Sequence, residues 1–161
     1  MDLFVDSGII IHLFDINDDS QDRYSHFLIK ENFEKLAQKY PPLTSNLIIA
    51  EALNLISNRI NAKLFRYEFD YLFDFYEKTI NGRFSIVTQD INKYIARSWK
   101  ILKQYSNLNY SFIDAMSLSF IEDFGDLKVL TTDEHWTYFH ILKGHKFAPI
   151  DFIDMFSMRK Y

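Results

Sequence analysis

Leu3-Phe4-Val5-Asp6-Ser7-Gly8 runs three apolar residues directly into an acid, a serine and a glycine. The apolar run reads as a short buried strand and residues 9–14 as a helix that follows it. Lys128-Val129-Leu130-Thr131 reads as a second strand of this kind, and Asp133 follows at its end. Between the two, residues 15–22 read as a polar loop and 21–40 as a helix stopped by Pro41 and Pro42. Ser45 is a good N-cap for a helix over 46–59. Residues 62–80 read as one long helix with Phe65, Phe69, Leu72, Phe73 and Tyr76 on one face, ended by Gly82. Residues 84–87 form a short strand and 90–105 another helix. Ser111 caps a helix running to a C′ glycine at Gly125, and 146–150 is a last candidate strand. Short apolar strands alternating with longer helices predict an α/β domain with a mostly parallel sheet. Ligands of such sheets bind beyond the carboxyl ends of the strands, which is where Asp6 and Asp133 fall.

The 161 residues fit a single domain spanning 1–161. The absence of cysteine excludes disulfides, thiolate metal sites and a cysteine nucleophile. No basic start precedes the first apolar patch, as a signal peptide would require. No apolar run approaches the ~18 residues that span a bilayer. A soluble cytoplasmic protein without membrane contact is expected. A formal net charge of −4 disfavours a protein that passively coats nucleic acid. It is compatible with a nuclease, because metal-binding carboxylates add negative charge. The 16 Phe and 10 Tyr read as core and as subunit interface, where aromatics are enriched. No glycine-rich phosphate loop and no G-x-S-x-G elbow supports an ATPase or a serine hydrolase.

Two further acids lie inside apolar runs: Glu51 in Leu47-Ile48-Ile49-Ala50-Glu51-Ala52-Leu53, and Asp114 in Phe112-Ile113-Asp114-Ala115-Met116. A carboxylate among such neighbours risks burial, which is costly unless it is paired, protonated or metal-bound. Each acid also has a plain structural explanation. Asp6 or Ser7 can cap the helix starting near Gly8, and Asp133 the segment beginning Glu134-His135-Trp136. Asp114 can form a capping box with Ser111, and Glu51 can share a solvated face with Asn54 and Asn58. Taken together these explanations require four coincidences at strand ends and early helix turns. If the four acids converge, two unit charges ~4 Å apart repel by roughly 4 kcal/mol at an effective dielectric of 20. Such a cluster calls for a divalent cation, and all-oxygen ligation favours Mg²⁺ or Mn²⁺. These ions promote phosphodiester hydrolysis by activating a water, orienting the phosphate and neutralising the leaving oxygen.

The succession Asp6-Ser7, Thr44-Ser45-Asn46-Leu47-Ile48-Ile49-Ala50-Glu51, Ser111-Phe112-Ile113-Asp114-Ala115 and Leu130-Thr131-Thr132-Asp133-Glu134-His135-Trp136 resembles PIN-domain nucleases, and most closely the VapC-type toxins of toxin–antitoxin pairs. The resemblance covers nearly the whole chain. It implies a PIN-like α/β/α sandwich with a short central parallel sheet and a metal-dependent endoribonuclease using Mg²⁺ or Mn²⁺. By position it implies that Asp6, Glu51, Asp114 and Asp133 are the catalytic, metal-binding acids. Asp6 and Asp114 would be the most direct ligands. Glu51 would bind metal or hold its water, and Asp133 would complete a second metal position or act through water. Ser7, Ser45 and Thr132 match supporting polar positions. The implied partners are an RNA substrate, structured RNA such as tRNA or rRNA among the family's usual targets, and a cognate antitoxin that blocks the site with an extended peptide. The sequence departs from the pattern at Gly8, where a longer polar residue is frequent, and in helices between residues 20 and 80 that are longer than usual.

Lys93, Arg97 and Lys100 lie at i, i+4 and i+7, with Lys103 a turn further on. They form a basic stripe suited to phosphate contacts or, more plainly, a solvated face. Lys63 and Arg66 are a smaller pair of the same kind. His135, His140 and His145 are spaced by five, which does not stack on a helix face. The aromatic helices offer apolar surface for a homodimer. Two other readings compete: a non-catalytic PIN-fold scaffold that binds RNA or protein, and a metal-dependent phosphatase or DNA nuclease.

Overall fold

The computed structural model describes residues 1–14, 23–64, 67–124, 127–133 and 151–154. Its five strands are β1 (Asp2–Val5), β2 (Pro42–Ser45), β3 (Ser85–Val87), β4 (Leu127–Thr131) and β5 (Asp151–Asp154), ordered β3-β2-β1-β4-β5. Every pairing is parallel. The helices are α1 (Ser7–Phe14), α2 (Arg23–Ala37), α3 (Asn46–Asn61), α4 (Phe69–Phe75), α5 (Ile91–Gln104) and α6 (Phe112–Ile121). The strand order runs outward from β1 to β3 and then returns to the other side of β1. With right-handed crossovers that reversal places helices on both faces of the sheet. This is the expected PIN-like α/β/α arrangement.

The central strand explains the apolar run that opens the chain. β1 is hydrogen-bonded on both edges, to β2 and β4. Leu3, Phe4 and Val5 are all fully buried, so the strand reads as continuous apolar sequence and not as an alternation. β4 follows the same rule at Val129 and Leu130. Lys128 is tolerated between them because its ammonium leaves the sheet and sits 5.2 Å from the centre of the Tyr40 ring.

Three expectations are corrected. A strand, β2, follows α2 where the sequence suggested only a helix stop. Pro42 is its first residue, a place where the missing N–H is tolerated, and the Thr44 hydroxyl donates to the Val5 carbonyl at 3.0 Å. The predicted helix over 62–80 is two elements. α3 extends to Asn61, and Lys63 then takes a left-handed conformation (φ 57°). That conformation ends a helix of L residues. α4 starts afresh at Phe69 and continues as a π-helical stretch, Tyr76–Asn81. α6 closes at Ile121, before Gly125. The last strand is Asp151–Asp154. The predicted strand over 146–150, the loop over 15–22, Phe65, Arg66, Gly125, His135, His140 and His145 lie outside the described residues.

α5 and α6 are joined by a buried hydroxyl chain. Ser98 Oγ lies 2.9 Å from the Tyr94 carbonyl and 3.1 Å from Ser119 Oγ, and Ser119 Oγ donates to the Ala115 carbonyl at 2.8 Å. Phe120 packs its ring against Phe4, Tyr94 and Phe124 at centroid separations of 6.2, 5.7 and 4.6 Å, linking α6 to both the sheet and α5. Phe120→Ala is expected to cost about 3–5 kcal/mol of folding free energy, measured by urea denaturation. Lys78→Ala, which breaks only an exposed pair with Asp74, should change stability by less than about 0.5 kcal/mol.

Candidate active site

The chain reverses its direction of winding between β1 and β4, and a crevice at their carboxyl ends is the expected ligand position of a doubly wound sheet. Asp6 leaves β1 there. Its backbone N–H donates to the Leu130 carbonyl at 3.1 Å, which keeps it in register beside β4. Its carboxylate is almost fully buried, at 4% exposure. One oxygen accepts the Ser7 N–H at 2.8 Å, and the other accepts the Thr131 hydroxyl at 2.7 Å. Burial nevertheless outweighs these two bonds, and the charges of Asp114 and Glu51 add to it. The carboxyl is pushed up to about 7.

Glu51 arrives from the second turn of α3. Burial is the main cause that raises its pKa, with repulsion from Asp114 and Asp133 in the same direction and a hydrogen bond from the Ser7 side chain opposing both. Ser7 thus serves two acids, through its amide to Asp6 and its side chain to Glu51. Asp114 sits in the first turn of α6. Its Oδ2 accepts the Ser111 N–H at 2.8 Å, and the Ser111 hydroxyl accepts the Asp114 N–H at 3.1 Å. The capping box weighed from sequence is therefore present, and Asp114 still acts electrostatically on both Asp6 and Glu51. Asp133 follows β4, its N–H donating to Thr131 Oγ1 at 3.0 Å. The acids come from the end of β1, α3, α6 and the end of β4, and they are electrostatically linked: Asp6 feels Asp114 and Glu51, and Glu51 feels Asp114 and Asp133.

Ser45 is fully buried and caps α3 through Ile48 N, at 3.3 Å. It shapes the helix that carries Glu51. Thr132 packs against Gly8, where any Cβ would overlap the threonine hydroxyl. The glycine that departs from the family pattern is thus the residue that admits Thr132. Thr131, which sequence reasoning passed over in favour of Thr132, supports both Asp6 and Asp133 with one hydroxyl. Strand alternation offered a signal: in β4, Thr131 shares a face with Val129, whereas Thr132 lies beyond the last paired residue.

The basic stripe divides. Lys93 pairs with Asp123 at 2.8 Å, and Arg97 pairs with Glu122 and Asp123 at 3.1 Å each while donating to the Ser119 carbonyl at 2.8 Å. These partners lie up to nine residues beyond Asp114, roughly 13 Å along α6 at ~1.5 Å per residue. Lys93 and Arg97 fasten α5 to the far end of α6. Lys100 is exposed toward the carboxyl end of α5, the end where Trp99 meets Phe112 at 5.5 Å.

Among the described residues, no three histidine or acidic side chains close on one point at ligating distance. The donor chemistry nonetheless fits a hard divalent cation. Every candidate ligand is an oxygen, the acids repel one another, and no lysine or arginine is among the causes that shift Asp6 or Glu51. Ligation requires the side chains to turn toward a common ion.

The all-parallel sheet with helices on both faces is a PIN-like α/β/α fold. A solved structure of VapC20 from Mycobacterium tuberculosis, a sarcin–ricin loop cleaving toxin, shares the fold with a TM-score of 0.63 at 19% identity, covering 84% of this chain and 93% of that one. No protein-family model matches the sequence. No curated protein matches it significantly either.

The raised Asp6 carboxyl has a signed consequence. Its protonated form is favoured by the fold, so its stabilising contribution is complete below the unfolded value near 3.8 and is lost as pH rises toward about 7. In EDTA, Asp6→Asn should therefore stabilise the protein relative to wild type, by an amount that grows between pH 4 and pH 7 at up to about 1.4 kcal/mol per pH unit. Urea titrations across that range test it. Saturating Mn²⁺ should erase the difference by stabilising only the wild type.

Proposed function

We propose that this chain is a metal-dependent endoribonuclease and the toxin of a toxin–antitoxin pair. The observation that carries the reading is the set of Asp6, Glu51, Asp114 and Asp133 at one sheet edge, with the carboxyls of Asp6 and Glu51 raised by burial and mutual repulsion. Such an arrangement costs stability unless a cation relieves it. Asp6 and Asp114 would hold Mg²⁺ or Mn²⁺ most directly, with Glu51 and Asp133 completing the set. The ion, when bound, supplies an acidified water and charge neutralisation at the phosphate. Ser7 orients Asp6 and Glu51, Thr131 orients Asp6 and the turn into Asp133, and Ser45 and Thr132 hold the local backbone. Lys100 and Lys103 are exposed, and their charge would attract the RNA backbone. The neighbour's cleavage of the sarcin–ricin loop makes ribosomal RNA the first substrate to test.

The decisive assay is cleavage of total RNA by the purified protein with Mn²⁺ or Mg²⁺, against EDTA and against Asp114→Asn. Cleavage should be lost in EDTA. The variant should lose at least the roughly 10–100-fold typical of a residue one step removed from a metal. Intact RNA together with no Mn²⁺ binding would instead favour a non-catalytic scaffold binding RNA or protein. The capping role of Asp114 is the observation on that side.

The antitoxin and a second copy of the chain are the proposed protein partners. A groove of about 520 Å³ lies between α3 and α4, lined by Leu53, Leu72, Phe73 and Tyr76 among others. Phe69 and Phe73 on its rim are 50% and 64% exposed, and exposed apolar surface of this kind marks association sites. Among the described residues no helix is long and apolar enough to cross a membrane. Phe73→Glu should shift the protein from dimer to monomer in light scattering, without loss of RNA cleavage per subunit.

A further inference from the structure

Gln89 is a polar residue at 2% exposure, placed between β3 and the Asp90 cap of α5. Its two donors reach two different helices. The backbone N–H donates to Asn46 Oδ1 at 2.7 Å, at the first residue of α3, five residues before Glu51. The side-chain Nε2 donates to the Met116 carbonyl at 2.5 Å, on α6, two residues after Asp114. Its Oε1 is buried without a hydrogen-bond partner. A buried carboxamide with an orphaned oxygen is a poor choice for stability alone, since an apolar side chain of the same length would avoid that desolvation. A helical carbonyl has a second lone pair, so Met116 loses little if the contact is removed.

We propose that Gln89 is a positioning residue that sets the separation of Glu51 and Asp114 by tying α3 to α6 through a single side chain and its own backbone. It touches neither acid. Its effect on them runs through Asn46 and Met116, each within one and a half turns of an acid. The two helices otherwise approach the crevice from different crossovers, and α6 is fixed mainly to α5 through Ser98 and Ser119. α3 and α6 also touch directly, and the Gln89 strut adds a hydrogen-bonded spacing to a ligand set carried on two helices. Metal sites demand this, since donors must be held within about 0.5 Å of productive geometry. The proposal rests on the metal-nuclease reading for its consequence, though not for its geometry.

Gln89→Met keeps the length of the side chain and removes the hydrogen bond. Three readouts on the full chain test the idea. Urea denaturation in EDTA should show no loss of stability. Calorimetric titration with Mn²⁺ alone should show affinity lowered 10–100-fold relative to wild type. The same substitution in a Glu51→Gln background should add less than about 2-fold, because the separation no longer matters once one acid is gone. Unchanged Mn²⁺ affinity in a folded Gln89→Met protein, or losses that multiply fully in the double variant, would overturn the proposal. Crystal structures of wild type and variant supply a readout independent of metal. The Glu51–Asp114 separation should change by more than about 0.5 Å, and an unchanged separation refutes the positioning role. Should the wild type bind no Mn²⁺ while the separation does change, the nuclease reading fails and the strut stands.

Discussion

A carboxylate sealed into the end of the central strand is the constraint around which this fold is arranged. Asp6 follows three fully buried residues and is itself nearly inaccessible, so its charge has no water to rely on. The sheet supplies what it can: the amide that opens α1 and the hydroxyl that closes β4. Neither neutralises it. The rest of the crevice makes matters worse, since the groups nearest in electrostatic terms are also acids. Local interactions that conflict with stability while the surrounding scaffold is well packed are the usual signature of a site kept for what it binds. Here the conflict is a surplus of negative charge, which a bound cation would relieve.

The scaffold's part is rigidity. Parallel strands buried on both faces fix the ends from which Asp6 and Asp133 emerge, and capped helices fix the other two acids. Ser45 and Ser111 do this in the same way, each satisfying amides at the start of a helix whose early turns hold an acid. Asp114 has a double duty, since the oxygen that closes its capping box belongs to the same carboxylate that acts on Asp6 and Glu51. Ion pairs from Lys93 and Arg97 to Asp123 pull Asp123 down to about 2 and brace the opposite end of α6. Each is largely exposed, and such pairs contribute little singly.

Much of this was legible in the sequence because it depends on local rules. β1, β4, the Ser45 cap and the Ser111 box are set by apolar runs and cap chemistry within a few residues. The positions of the acids at strand ends and in the early turns of helices follow from them. What escaped was set by neighbours distant in the chain. β2 is four residues long and opens on proline, so only its place beside β1 makes it a strand. The break at Lys63 rests on a left-handed residue that carries no glycine or asparagine to announce it. The basic spacing of residues 93–100 was real, yet acids some 25 residues downstream had claimed two of the three. Thr131 had only the weak signal of strand alternation and Gln89 had none, because their roles are visible only once β1 and α6 lie beside them.

The hydrogen bond from Thr131 to Asp6 spans 125 positions of the chain. Strand order makes such a closure unavoidable, since β1 gains its second neighbour only when β4 is present. A polypeptide leaving the ribosome at about 5–20 residues per second would carry Asp6 for several seconds beside an unfilled sheet edge. During that interval the crevice has one wall. An enzyme of the kind proposed would thus be harmless to the RNA that is making it until most of the chain has emerged, and the order of synthesis itself would act as a delay on its activity.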